Sequence, residues 1–180
     1  MEHQNSIIHS NASIGKEVKF GNFNIIHDKV SIGDKVEIGN FCVIHENVVI
    51  GEGTVVKDYV ELRSNTVIGK NSYIDSRVSS SGACTIGDRV TVRYDSILAR
   101  GVEVGNDTYI CPRVMTNNLD TKKEQIGGAK IGKKCFIGTN AVIQHGLKIE
   151  DNVIIGSMSF VNKNCVADGV YVGLPARKIR

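Results

Sequence analysis

No run of apolar residues in the 180-residue sequence approaches the roughly 20 needed to cross a bilayer as a helix, so no membrane partner is expected. Met1 to Ser6 is polar and lacks the apolar segment of a secretory signal, which points to a cytoplasmic protein. The formal charge of +3 is too small, and too dispersed, to give the concentrated basic face that nucleic-acid binding requires. Nor is there any helical periodicity of 3.6 residues.

What is present instead is a repeat of six. Stepping from Ile8 in sixes to Thr116, seventeen of nineteen positions are large and apolar, without a slip over 108 residues. The exceptions are Ser80 and Thr116. Such a period belongs to a hexapeptide solenoid, a parallel β-helix of hexapeptide repeats. At every third hexad glycine follows the apolar residue: Gly15, Gly33, Gly51, Gly69, Gly87 and Gly105. Eighteen residues therefore return the chain to one edge of a triangular coil, with equivalent residues about one strand spacing, roughly 4.8 Å, apart. The glycines are expected there for backbone angles forbidden to other residues. The fourth place after each apolar residue is small or β-branched, as in Ala12, Val18, Thr54, Ser72 and Val90, which suits an inward position in a narrow prism. Cys42, Cys84, Cys135 and Cys165 occupy that place, as small hydrophobes in a reducing compartment, and Cys111 stands outside it.

The expected architecture is all-β, about eight coils. A tail covers 1–7, the β-helix 8–172 and a closing segment 173–180. Its early coils carry His9, His27 and His45 in one column, read as an exposed ladder or a subunit-boundary patch; histidines in a line do not converge on a tetrahedral metal centre. A second edge carries Lys57, Asp75 and Arg93, a charge ladder. The repeat stops at Asn117 and resumes at Ile131, where unbroken register demands position 122. Nine residues have been inserted, giving one extruded loop near 117–130. In a solenoid such insertions mark the binding face.

The flanks of this loop carry a resemblance. Tyr109-Ile110-Cys111-Pro112-Arg113-Val114-Met115-Thr116-Asn117-Asn118 resembles the segment aromatic-Ile-Gly-Pro-x-Val-x-Phe-Thr-Asn-Asp of acyltransferases that acetylate nucleotide-linked amino sugars. Gly128-Ala129-Lys130-Ile131-Gly132 resembles their restart after the loop, and Gly173-Leu174-Pro175-Ala176-Arg177 the closing motif of hexapeptide acyltransferases. Cys111 and Asn118 depart from the pattern, where Gly and Asp are usual, and the Pro-Arg often found within the loop is absent. The resemblance implies a left-handed β-helix, a homotrimer, and acetyl-CoA as co-substrate, bound between neighbouring prisms under the loop. It places Gly128, Ala129 and Ala141 beside the pantetheine and Lys163, Arg177 and Lys178 near the nucleotide end of the cofactor. Arg93, Tyr94 and Thr116 are candidate acceptor contacts.

For catalysis three residues are candidates. His145 is the one histidine after the loop and has the pKa class for proton transfer near neutrality. Asp120 lies within the loop. Asn117 is no base, but its amide can orient a thioester or acceptor. The expected function is acetyl transfer to the amine of a nucleotide-linked amino sugar. O-acetylation of a sugar hydroxyl, a γ-type carbonic anhydrase and a non-catalytic assembly subunit are the alternatives. The carbonic anhydrase needs two histidines five apart late in the chain, where only His145 is found, so no metal is expected. The loop contains no histidine, unlike galactoside- and maltose-type acetyltransferases.

Overall fold

The computed structural model describes residues 5–124 and 126–180, and within them the secondary structure consists of strands and turns. Strands of two residues follow one another at hexad spacing from Ile7–Ile8 to Phe160–Val161, interrupted once by the loop. They stack into three sheets of nine, eight and ten strands, the three faces of a triangular prism. The first face begins with Ile7–Ile8, the second with Ser13–Ile14 and the third with Lys19–Phe20. Pairing is parallel and one coil apart, as in Ile8 with Ile26 and Ile26 with Ile44. At the end Val170–Gly173 and Ala176–Lys178 form an antiparallel pair at the edge of the third sheet.

Each short strand points its first residue out and its second in, the period-two alternation of any β-strand. The inward set, including Ile26, Ile44, Leu62, Ile86, Leu98, Ile110, Ile137 and Ile155, is almost wholly shielded from solvent. The small corner residues complete this core, and all five cysteines are buried and unpaired. Where a corner residue is polar it is satisfied across coils. Asn24 donates to the carbonyls of Gly21 and Gly39 and accepts from the Cys42 N–H. Ser80, which interrupts the apolar column, is also buried: its hydroxyl meets that of Thr66 at 2.9 Å and accepts the Arg63 N–H at 3.1 Å.

The glycines after the apolar residues do not serve the dihedral role expected of them. None of Gly15, Gly33, Gly51, Gly69, Gly87 and Gly105 has positive φ. They are required for space: a Cβ on Gly51 would lie 2.5 Å from the carbonyl carbon of Gly69, and one on Gly33 would lie 2.7 Å from the Glu52 nitrogen. Left-handed backbone falls instead at the third corner place and is taken largely by side-chain-bearing residues such as Lys29, Asn47, Asn65 and Arg77, with φ between 54° and 63°.

Candidate functional site

The loop leaves the first face after Met115–Thr116 and returns to the second at Lys130–Ile131. Across it Val104 pairs with Ile131, Tyr109 with Phe136 and Met115 with Val142, each a separation of 27 residues where the coils before the loop have 18; the difference is the nine inserted residues. The base of the loop is drawn together by one carbonyl: Asn118 O accepts from Ile126 N at 3.0 Å and Gly127 N at 3.3 Å. Its tip is folded by Asp120, whose Oδ1 accepts the N–H groups of Lys122 and Glu124, each at 2.9 Å. On the far side Gly146 N donates to Gly127 O at 3.0 Å. Ile126 covers Gly146 so closely that a Cβ there would lie 2.8 Å from its Cγ2.

Beneath this arch runs a groove of about 430 Å³, lined by Ala83, Arg100, Gly101, Ile126, Gly127, Gly128, Lys130, Gly146, Leu147 and Lys148. Its floor follows from the sequence of a single column. The third corner place at this edge reads Asn11, Lys29, Asn47 and Asn65 in the early coils, then Ala83 and Gly101, Gly128 on the return from the loop, and Gly146. Side chains that fill the edge elsewhere are absent beside the loop, and backbone is laid bare. Three cations flank the groove. Lys130 Nζ is 3.0 Å from Glu103 Oε1 and Lys148 Nζ is 2.8 Å from Glu150 Oε1. A second depression of about 380 Å³ shares those two lysines and continues over the second face past Glu103, Asn106, Glu150 and Asp151. Bare backbone between cations is suited to a long, flexible, phosphate-bearing ligand.

The residues singled out in the sequence are distributed unevenly about this groove. Gly128 lines it, though its own smallness answers to the coil before, since a Cβ would collide with backbone of Gly101 and Val102. Ala129 and Ala141 are wholly buried, backbone included: Ala129 O accepts from Glu103 N at 3.0 Å, and Ala141 O accepts from Met115 N at 3.0 Å. Asn117 is half-buried at the mouth of the loop, its N–H held by Ile143 O at 3.0 Å. His145 is half-buried beside Gly146, and among the described residues its Nδ1 is shielded from solvent without a hydrogen-bond partner. Thr116 is buried and bonded to the backbone: its Oγ1 accepts from Ala99 N at 2.7 Å and donates to Ile97 O at 3.3 Å. Arg93 and Tyr94 stand at the edge between the third and first faces, away from the loop edge, and Arg93 is engaged by Asp75 at 2.8 Å and Tyr109 at 3.0 Å. Lys163, Arg177 and Lys178, distant in sequence, do converge, around a small pocket of about 140 Å³ near the end of the prism.

Arg100, Lys130, Lys148, Ile126 and Gly146 were not among the sequence candidates. The fall of one column from Lys and Asn to Ala and Gly was the available signal. The histidine column forms as expected, with His27 and His45 stacked 5.0 Å apart and 7° from parallel. Among the described residues no three His, Cys, Asp or Glu side chains assemble into a metal-holding group, and no helix is long and apolar enough to cross a membrane.

Residues 128–163 match the family described as bacterial transferase hexapeptide (six repeats), and residues 2–127 match the GMPPB C-terminal domain. A chloramphenicol acetyltransferase of Morganella morganii is 39% identical over 57 residues, which cover 32% of this chain and 27% of that protein. One from Klebsiella aerogenes is 35% identical over 57 residues, with the same coverage of 32% and 27%. The chain thus spans about a quarter of the length of these relatives. In three dimensions a UDP-N-acetylglucosamine acyltransferase superposes with a TM-score of 0.84 at 19% identity, over 96% of this chain and 70% of that one. The polySia-specific acetyltransferase NeuO gives 0.58 at 18% identity, over 100% of this chain and 87% of that one. With a match running from residue 2 to residue 127, the chain belongs to the GMPPB C-terminal domain family, and its continuation over residues 128–163 carries hexapeptide repeats.

Proposed function

We propose that the chain is an acyl-CoA-dependent acyltransferase, with acetyl-CoA as co-substrate and the amine of a nucleotide-linked amino sugar as acceptor. It acts as a homotrimer in which a neighbouring copy closes the groove. The observation that carries this reading is the nine-residue arch over a glycine-floored groove flanked by Arg100, Lys130 and Lys148. The bacterial transferase hexapeptide match over residues 128–163 and the acetyltransferase relatives support it.

In this reading the pantetheine lies along the bare backbone by Gly128 and Gly146, and the cations accept phosphate. Lys163, Arg177 and Lys178 receive the nucleotide end of the cofactor. The acceptor nitrogen attacks the thioester carbonyl, and a backbone N–H at the loop edge takes the developing oxyanion charge. The carbon–sulfur bond breaks, and coenzyme A leaves as thiolate. The proton lost by nitrogen goes to His145, whose Nδ1 has no competing partner among the described residues, or to solvent. Asn117 orients the reacting carbonyl. Asp120 shapes the loop, because its Oδ1 is already held by two backbone N–H groups.

Free-thiol release from acetyl-CoA, measured against a panel of nucleotide-linked amino sugars, their hydroxyl counterparts and chloramphenicol, tests the reading. Release with amine-bearing acceptors alone supports it. A second reading, transfer to a hydroxyl, draws on the identity with the chloramphenicol acetyltransferases. A hydroxyl needs a base where a positioned amine does not. His145→Asn is therefore expected to lower turnover about tenfold or more with a hydroxyl acceptor and far less with an amine. Absence of release with every acceptor overturns the enzyme reading and leaves the assembly role.

A further inference from the structure

Charge enters the second face only beside the loop. Its outward residues run Ser13, Ser31, Val49, Val67 and Thr85, all uncharged, and then Glu103, Lys130 and Lys148. At the junction with the third face the column Gly87, Gly105 and Gly132 is broken one coil on by Glu150. The charged residues and these glycines line the depression of about 380 Å³. Its floor is glycine because the next coil leaves no room: a Cβ on Gly105 would lie 2.6 Å from the carbonyl carbon of Gly132. Lys130 and Lys148 line both this depression and the groove under the arch, whereas Glu103 and Glu150 line the depression alone. The two ion pairs, Lys130 with Glu103 at 3.0 Å and Lys148 with Glu150 at 2.8 Å, therefore straddle the boundary between the two hollows.

We propose that this depression is the acceptor subsite, and that Glu103, with Glu150, receives the amino group of the acceptor. The inference rests on the acyltransferase reading and gives its second substrate a place. The acceptor nitrogen must meet a thioester held in the groove, so its subsite has to open onto that groove, and the depression shares two residues with it. The pocket at Lys163, Arg177 and Lys178 shares none. Two further polar side chains of the depression are already engaged: Asp151 Oδ1 accepts Lys133 N at 2.8 Å and Asn106 Oδ1 accepts Asp88 N at 3.0 Å. Glu103 and Glu150 are held in ion pairs whose side chains are between 42% and 64% exposed. Pairs so exposed contribute little, and their partners exchange at small cost. A phosphate in the groove draws Lys130 and Lys148 to its own side. The freed carboxylates then accept the N–H groups of an amine. A ligand that carries both phosphate and amine satisfies all four side chains; one with hydroxyls alone leaves two carboxylates without a cation.

The test is the steady-state kinetics of thiol release from acetyl-CoA with the best amine acceptor of the panel, and inhibition by that acceptor's hydroxyl counterpart. Glu103→Gln removes the charge and keeps the shape. Thr85→Lys keeps both glutamates and sets a cation beside them. Glu37→Gln, which breaks the ion pair with Lys19 on the third face, is the control. The expected result is an acceptor KM raised about fivefold or more in Glu103→Gln and in Thr85→Lys, with no rise in the KM for acetyl-CoA. Inhibition by the hydroxyl counterpart is expected to stay within about twofold of the wild type in Glu103→Gln, since that ligand brings no amine. The control changes none of these constants. An acceptor KM unchanged in Glu103→Gln, or raised in step with that for acetyl-CoA, overturns the subsite and leaves the acyltransferase reading standing. Should Glu103→Gln not fold, Thr85→Lys decides by the same comparison of the two KM values. Release with hydroxyl acceptors alone likewise overturns the subsite; a wild type that releases no thiol with any acceptor overturns the subsite and the acyltransferase reading together.

Discussion

Several side chains prove to be matters of space where the sequence suggested chemistry. The column glycines are small because the next coil's backbone lies against them, a contact invisible until eighteen residues are known to make one turn at strand spacing. Thr116 sits in a motif shared with amino-sugar acetyltransferases, yet its hydroxyl is spent on the Ala99 N–H inside the prism. The cysteines, by contrast, were legible, because the hexad places each side chain in or out. Burial pushes the thiols of Cys42 and Cys165 up to about 11 and raises those of Cys84, Cys111 and Cys135, so all five stay protonated and unreactive near neutrality. A thiol reagent at pH 8 is expected to label none of the five in the native protein within minutes and all five in denaturant; fast labelling of Cys111 contradicts this. Asp120 offers a sharper test. If it folds the loop tip, Asp120→Asn, which keeps the accepting oxygen, retains most turnover and Asp120→Ala loses it. A base would be abolished by both.

At the scale of the element, edge and loop obey different rules. A coil is fixed by its neighbours, and its position can be counted from the sequence. The groove was less legible because it is made by what four separate coils lack at one corner, and by the path of a loop that obeys no period. Gly128 joins the two. Adding a methyl there overlaps backbone, which cannot yield cheaply, so Gly128→Ala is expected to destabilise by about 1–3 kcal/mol, read as a lower urea midpoint. The charge ladders act in the same nearest-neighbour manner. Arg77 hydrogen-bonds Asp95 and Arg89 hydrogen-bonds Asp107, holding both carboxyls below their ordinary value of 3.8. A lowered carboxyl contributes stability above its unfolded pKa and loses it as pH falls through the folded value. The melting temperature should therefore drop below about pH 4, and less steeply in Asp95→Asn with Asp107→Asn. An unchanged acid slope in that variant removes the ladders from the account. Because these ion pairs lie at the solvent-accessible surface, where water and salt screen them, the effect is small.

For the molecule as a whole, stability and activity are separable. A solenoid sums the contacts of adjacent coils, so a segment that leaves the coil and returns contributes little to the rest. Removing Asn118–Ile126 joins Asn117 to Gly127 and restores the eighteen-residue repeat across the break. The measurement that decides most directly is coenzyme A thiol release by this deletion beside the wild type, with circular dichroism on both samples. The expected result is an unchanged strand spectrum, a melting temperature equal to or above the wild type, and no release above background. A folded deletion variant that transfers acetyl groups at the wild-type rate contradicts the central claim, for then the arch over the groove takes no part in the reaction.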